Sequence, residues 1–127
     1  MIHIQNLERD IKHGLYCRNT AVENPHHISI GSTDVISRRD TKKVKCYPET
    51  SVNDYVPFYF SVRTPMLFNI KSGYGGIKIF PQKDIIYLCF KLSDLATHEH
   101  RWCYTDGNAS MAFTKFYNDL ADLDKID

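Results

Sequence analysis

The chain has 127 residues and a net charge of +1, from 16 Lys and Arg against 15 Asp and Glu. That length suits one domain with a single core, so one unit over residues 1–127 is expected. A 43% hydrophobic and 24% charged composition excludes disorder, and the near-neutral overall balance does not announce nucleic-acid binding.

No apolar run approaches the roughly 20 residues of a membrane helix. Met1-Ile2-His3-Ile4-Gln5-Asn6 lacks the basic-then-apolar order of a signal peptide, so a cytoplasmic setting with no membrane partner is expected. Residues 2–5 read as a short strand with His3 on the face opposite Ile2 and Ile4. Asn6 reads as the N-cap of a helix over 7–13, with Glu8 and Asp10 near its positive end and Gly14 as its stop. Residues 17–34 have loop composition, and 34–37 suggest a helical turn leading into Arg38-Arg39. Arg38, Arg39, Lys42, Lys43 and Lys45 form a local basic patch, which reads as a solvated loop or as a contact for phosphates. Residues 40–53 read as a mobile polar loop.

The densest aromatic run follows: Asp54-Tyr55-Val56-Pro57-Phe58-Tyr59-Phe60-Ser61-Val62-Arg63-Thr64-Pro65-Met66-Leu67. Its prolines predict a strand entered at Phe58, a bend near Arg63-Thr64-Pro65 and a return over 66–70. The rings read first as core and alternatively as the floor of a pocket for a flat ligand. Gly73, Gly75 and Gly76 predict a flexible turn without the spacing of a dinucleotide fingerprint. Residues 84–90 read as a buried central strand, and 92–98 as a helix capped by Ser93. A strand over 102–105 is stopped by Asp106-Gly107. Phe113, Phe116, Tyr117 and Leu120 share one helical face, predicting the longest helix over 110–123, ended by Asp124-Lys125-Ile126-Asp127.

The residues alone disclose little chemistry. There is no Gly-x-Ser-x-Gly elbow, P-loop or His-Glu-x-x-His. His98-x-His100-x-x-Cys103 has metal-ligand types but no clear fourth ligand, and the four cysteines read as reduced packing residues. Asp54, Asp84 and Asp106 read as caps or turn residues. Arg39 is the best anchor for a phosphate-bearing ligand, because its guanidinium can grip a pyrophosphate at two points.

A family resemblance rests on longer blocks. His3-Ile4-x-Asn6-Leu7, Gly14-Leu15, Arg38-Arg39, the segment from Asp54 to Leu67, and Thr105-Asp106-Gly107-Asn108-Ala109 together resemble the DarT family. The resemblance implies an α+β, ADP-ribosyltransferase-like fold: a mixed split β-sheet with flanking helices, here incomplete at the C-terminus. It implies a toxin of a toxin–antitoxin pair that transfers ADP-ribose from NAD to thymidine in single-stranded DNA. A macrodomain antitoxin is the implied partner. Arg39 matches the family's catalytic and NAD-site arginine, with Arg38 adjacent. His3 and Asn6 match NAD-lining positions, and Tyr59 belongs to the ring wall beside the dinucleotide. Lys42, Lys43, Lys45, Arg63 and Asn108 fall on the expected DNA side. The family's first early histidine has no counterpart before Met1, and its catalytic Glu lies in a strand beyond residue 127. These 127 residues alone are therefore expected to be inactive. A module that binds single-stranded DNA or NAD without catalysis is the alternative.

Overall fold

A computed structural model describes residues 1–125. Strand β1 (Ile2–His3) turns at once into a single 3-10 turn and helix α1 (Leu7–His13), which Gly14 closes at φ 86°. Helices α2 (Thr33–Thr41), α3 (Pro65–Ser72) and α4 (Leu92–Ala96) alternate with strands β2 (Lys43–Val44), β3 (Tyr47–Ser51), β4 (Ile85–Ile86), β5 (Tyr104–Thr105) and β6 (Phe116–Tyr117). The ladders among the described residues are three two-stranded antiparallel pairs: β1 with β4, β2 with β3, and β5 with β6. Helices and small antiparallel sheets make the chain α+β, as expected. No helix among the described residues is long and apolar enough to cross a membrane.

The core gathers Ile30, Ile70, Phe80 and Ile85, with Met1, Ile28, Met66, Leu67 and Ile77 packed around them. It joins β1, β4, α3 and the segments beside them. Val44, 1% exposed, buries the second hairpin.

Several sequence expectations are corrected here. The aromatic segment is not core: Phe58, Tyr59 and Phe60 are exposed and lie in irregular backbone. The predicted return strand is helix α3. The Thr64 hydroxyl accepts from the Leu67 N–H at 3.2 Å, Pro65 takes the first helical position, and Gly73 ends the helix at φ 74°. The Asp84–Phe90 strand shrinks to Ile85–Ile86, because β1 offers only two residues to pair before it coils into its 3-10 turn. The loop over 40–53 is a hairpin, and the helical turn at 34–37 extends to the nine-residue α2. Lys91, not Ser93, caps α4.

The long helix over 110–123 does not form. Phe116 and Tyr117 pair instead with Thr105 and Tyr104, and the Tyr104 and Tyr117 rings stack at 5.3 Å. The Tyr104 hydroxyl donates to the Asp119 carbonyl at 2.7 Å, and Thr114 donates to the Asn108 carbonyl at 2.7 Å. Phe113, the first residue of the supposed apolar stripe, is 94% exposed. Cross-strand aromatic pairing has won over a helical spacing that residues 113–120 merely happen to fit. The expected stop at Ile126 and Asp127 lies outside the described residues.

Candidate functional site

His3 is buried at the end of β1. Its Nδ1 accepts the Gln5 N–H at 3.3 Å, so the neutral ring carries its proton on Nε2. The ring meets Phe80 edge-on at 5.3 Å, and the Lys78 ammonium lies over the Phe80 ring, 5.0 Å from its centroid. Lys78 in turn lines a cleft of about 380 Å³ formed by residues 29, 31–34 and 75–78. His3, Phe80, Lys78 and the cleft are thus contiguous. The cleft has one lip at the start of α2, where the Ser32 hydroxyl accepts from the Val35 N–H at 3.4 Å. The first-turn amides of that helix lack intrahelical acceptors and favour negative charge, with Asp34 opposing it.

Asn6 is 3% exposed. It stands at the N-cap position of α1, as the sequence suggested, but its side chain makes no capping hydrogen bond there. Its Nδ2 donates to the Ile28 carbonyl at 2.9 Å, and its Oδ1 accepts the Ile28 N–H at 3.0 Å. This two-point clamp spans 22 residues and holds the strap that carries Ser29 and Gly31 to the cleft.

Helix α2 carries both arginines in its last turn. Arg38 is exposed and Arg39 half-buried. Arg39 follows Ile36 by three positions and Val35 by four, so it shares their inward face. The buried Arg39 Nε has no hydrogen-bond partner among the described residues. A guanidinium N–H without an acceptor costs on the order of 1–3 kcal/mol, so the site suits a ligand oxygen.

Sequence reasoning missed the group that fixes α2. Asn53, buried, donates to the Ile36 carbonyl at 2.9 Å and lies 3.5 Å from Asp40. Beside it, Asp54 accepts from the Ser51 N–H at 2.7 Å and from Asn19 at 2.8 Å. Those hydrogen bonds, the Ser51 amide first and Asn19 next, hold the Asp54 carboxyl below the usual carboxylate range. Asp54 is therefore a capping residue, as expected. The signal was present in Ser51-Val52-Asn53-Asp54, which has the spacing of a reciprocal helix cap.

The other expected positions divide. Lys42 donates to the Met111 carbonyl at 2.9 Å, and the Met111 N–H donates to the Asn108 carbonyl at 2.9 Å. The structure therefore brings Lys42 against the turn that holds Asn108. Lys43, Lys45 and Arg63 are exposed. Tyr59 donates to the Met66 sulfur at 3.2 Å and does not line the cleft. Neither arginine of α2 lines the cleft, and among the described residues no hydrogen bond, ion pair or ring contact is found between Arg39 and the aromatic run.

A family model described as "ssDNA thymidine ADP-ribosyltransferase, DarT" matches residues 1–127. The chain is 37% identical over 127 residues to a DNA ADP-ribosyl transferase of Escherichia coli O127:H6, covering 100% of this chain and 58% of that protein. It is 31% identical over 130 residues to a DNA ADP-ribosyl transferase of Thermus sp., covering 98% of this chain and 59% of the relative. A Mycobacterium bovis protein of the same name is 29% identical over 115 residues, at 90% and 50% coverage. The chain thus spans between half and three-fifths of the length of these relatives. No solved structure matches it.

Proposed function

The chain belongs to the DarT family, and from that premise we propose that residues 1–127 form the NAD-holding part of an ADP-ribosyltransferase acting on DNA. The match across all 127 residues carries the reading. Geometry supports it in two places. The Arg39 Nε is a buried donor lacking an acceptor, which suits a pyrophosphate oxygen. The buried His3 ring, with Nδ1 taken by the Gln5 N–H, meets Phe80, and the Lys78 ammonium that sits over Phe80 belongs to the cleft wall. Arg39 and His3 are proposed as NAD contacts, Arg38 as an outer charge, and Asn6 as the residue holding the cleft's strap.

The reaction proposed is displacement at the ribose carbon of NAD. The bond to nicotinamide breaks, nicotinamide leaves neutral with the bonding pair, and a thymine nitrogen bonds to that carbon, its proton passing to a carboxylate base and then to solvent. Positive charge develops on the ribose, and a carboxylate is its natural stabiliser. The family resemblance puts that carboxylate beyond residue 127, so residues 1–127 alone are expected to bind without transferring. We also propose the split ADP-ribosyltransferase sheet, the single-stranded DNA substrate, the cytoplasmic toxin–antitoxin role and its macrodomain antitoxin on that resemblance. Lys42, Lys43, Lys45, Arg63 and Asn108 are the proposed DNA side, supported by the tie from Lys42 to the Asn108 turn. The exposed lysines equally favour a second reading, a module that binds single-stranded DNA without catalysis.

Calorimetric titration with NAD tests the first reading. Arg39→Ala is expected to weaken NAD at least tenfold, about 1.4 kcal/mol, and Arg38→Ala much less. Equal affinity in wild type and Arg39→Ala would refute the anchor. Absence of NAD binding in wild type, with salt-sensitive binding of a thymidine-containing single strand, would leave the second reading.

A further inference from the structure

The turn over residues 52–54 ties α2 down at two carbonyls, one inside the helix and one just past its end. The Asn53 Nδ2 donates to the Ile36 carbonyl at 2.9 Å, and the Val52 N–H donates to the Lys42 carbonyl at 3.0 Å. Six positions separate those carbonyls, about 9 Å along a helix axis, and Arg39 lies midway between them. The turn is itself anchored from outside α2. The Asn53 carbonyl accepts the Asn19 N–H at 3.2 Å, and the Asn19 side chain donates to Asp54 at 2.8 Å. Asn53 is 5% exposed, and only one orientation of its amide fits. The reverse would set its oxygen against the Ile36 carbonyl and against the Asp40 carboxylate, which Nδ2 approaches at 3.5 Å.

We propose that Asn53 is a positioning residue for the NAD anchor: by holding α2 at a second point it aims the Arg39 Nε–H at a pyrophosphate oxygen, an assignment that rests on Arg39 as an NAD contact. One tie would locate the helix but leave it free to turn about its Lys42 end. Successive residues are about 100° apart around a helix, so a fraction of that step carries a side chain far off its line. A hydrogen bond weakens steeply as its angle falls toward about 120°. The buried Arg39 Nε has no partner among the described residues to keep its direction. The backbone beneath it has to supply that direction, and the Asn53 amide fixes this backbone. Asn53 acts through Arg39 and does not touch NAD.

Two measurements on the 127-residue chain test this: calorimetry with NAD, and proton–nitrogen NMR of the Arg39 Nε–H, which needs no NAD. Asn53→Asp keeps the side chain's size and turns both donations into oxygen–oxygen contacts. It is expected to weaken NAD at least tenfold and to speed exchange of the Arg39 Nε–H with water at least tenfold. In the Arg39→Ala background the same substitution should change NAD affinity less than twofold, because the group it aims is gone; a merely structural loss would add in full. Tyr104→Phe, which removes a hydroxyl bonded to the Asp119 carbonyl in another part of the fold, should leave NAD affinity unchanged. Asn53→Ala, which only deletes the donations, serves if Asn53→Asp does not fold. NAD weakened by Arg39→Ala but not by either Asn53 variant overturns the proposal and leaves the anchor standing, as does full additivity. Side-chain amide protons of Asn53 that exchange in the wild type as fast as those of an exposed asparagine overturn it without any variant. NAD affinity unaltered by Arg39→Ala overturns the anchor itself, and the role of Asn53 with it.

Discussion

Replacing Asn6 with Ala removes a single buried amide, and the structure allows its cost to be worked out. Two hydrogen bonds are lost, at 2.9 and 3.0 Å, both to the main chain of Ile28. Each is worth about 0.5–1.5 kcal/mol net, and a buried group left without a partner costs about 1–3 kcal/mol. Ile28 packs on the core, so water reaches its amide and carbonyl only in part. The expected loss is about 2–4 kcal/mol. In a urea titration, with a slope of about 2 kcal/mol per molar for a domain of this size, the midpoint should fall by about 1–2 M. Asn6→Asp keeps the acceptor for the Ile28 N–H but sets a carboxylate against the Ile28 carbonyl, so it should be no more stable than Asn6→Ala. Hydrogen exchange at the Ile28 amide should rise in both variants. A loss below about 0.5 kcal/mol for Asn6→Ala, with Ile28 exchange unchanged, would refute the clamp and return Asn6 to a direct ligand role.

Asp54 should make the chain acid-sensitive in a defined direction. Its folded carboxyl lies below the ordinary value of about 4, so its contribution is present above that pH and is lost as pH falls through the depressed range. Asp54→Asn should flatten the stability curve there, and an unaltered acid profile would contradict the assignment. The Cys103 thiol is pushed up to about 11 by burial, with Cys46 second. At pH 8 roughly one in a thousand Cys103 side chains would be thiolate, so the exposed Cys89 should be alkylated far faster, as mass spectrometry of iodoacetamide adducts would read. Gly73 sits at φ 74°, and an added Cβ would lie 3.0 Å from Ile79 Cγ1. Gly73→Ala should therefore lower stability by about 1–2 kcal/mol or more in thermal unfolding, and Gly75→Ala, with no such neighbour, by less.

Local chemistry was readable where neighbours in sequence decide the outcome. The helix over 7–13 and its Gly14 stop, the glycine turn at 73–76 and the capping role of Asp54 all rest on contacts a few residues apart. The start of α3 was equally local, in Thr64-Pro65 and Gly73, but the dense rings before it drew the reading toward a strand. Long motif blocks also carried the family, because a string such as Val56-Pro57-Phe58-Tyr59-Phe60 is too specific to arise from patterning alone. Tertiary structure decided what depends on distant partners. Residues 116 and 117 became a strand because Tyr104 and Thr105 stood ready to pair with them. Asn6 became a clamp because Ile28, 22 residues away, offered two unmet main-chain groups. Arg39 rather than Arg38 turned inward because Asn53 grips the carbonyl of Ile36 and sets the rotation of α2. The free energy of such pairings resides in groups brought together by the fold, and no window of adjacent residues contains both halves.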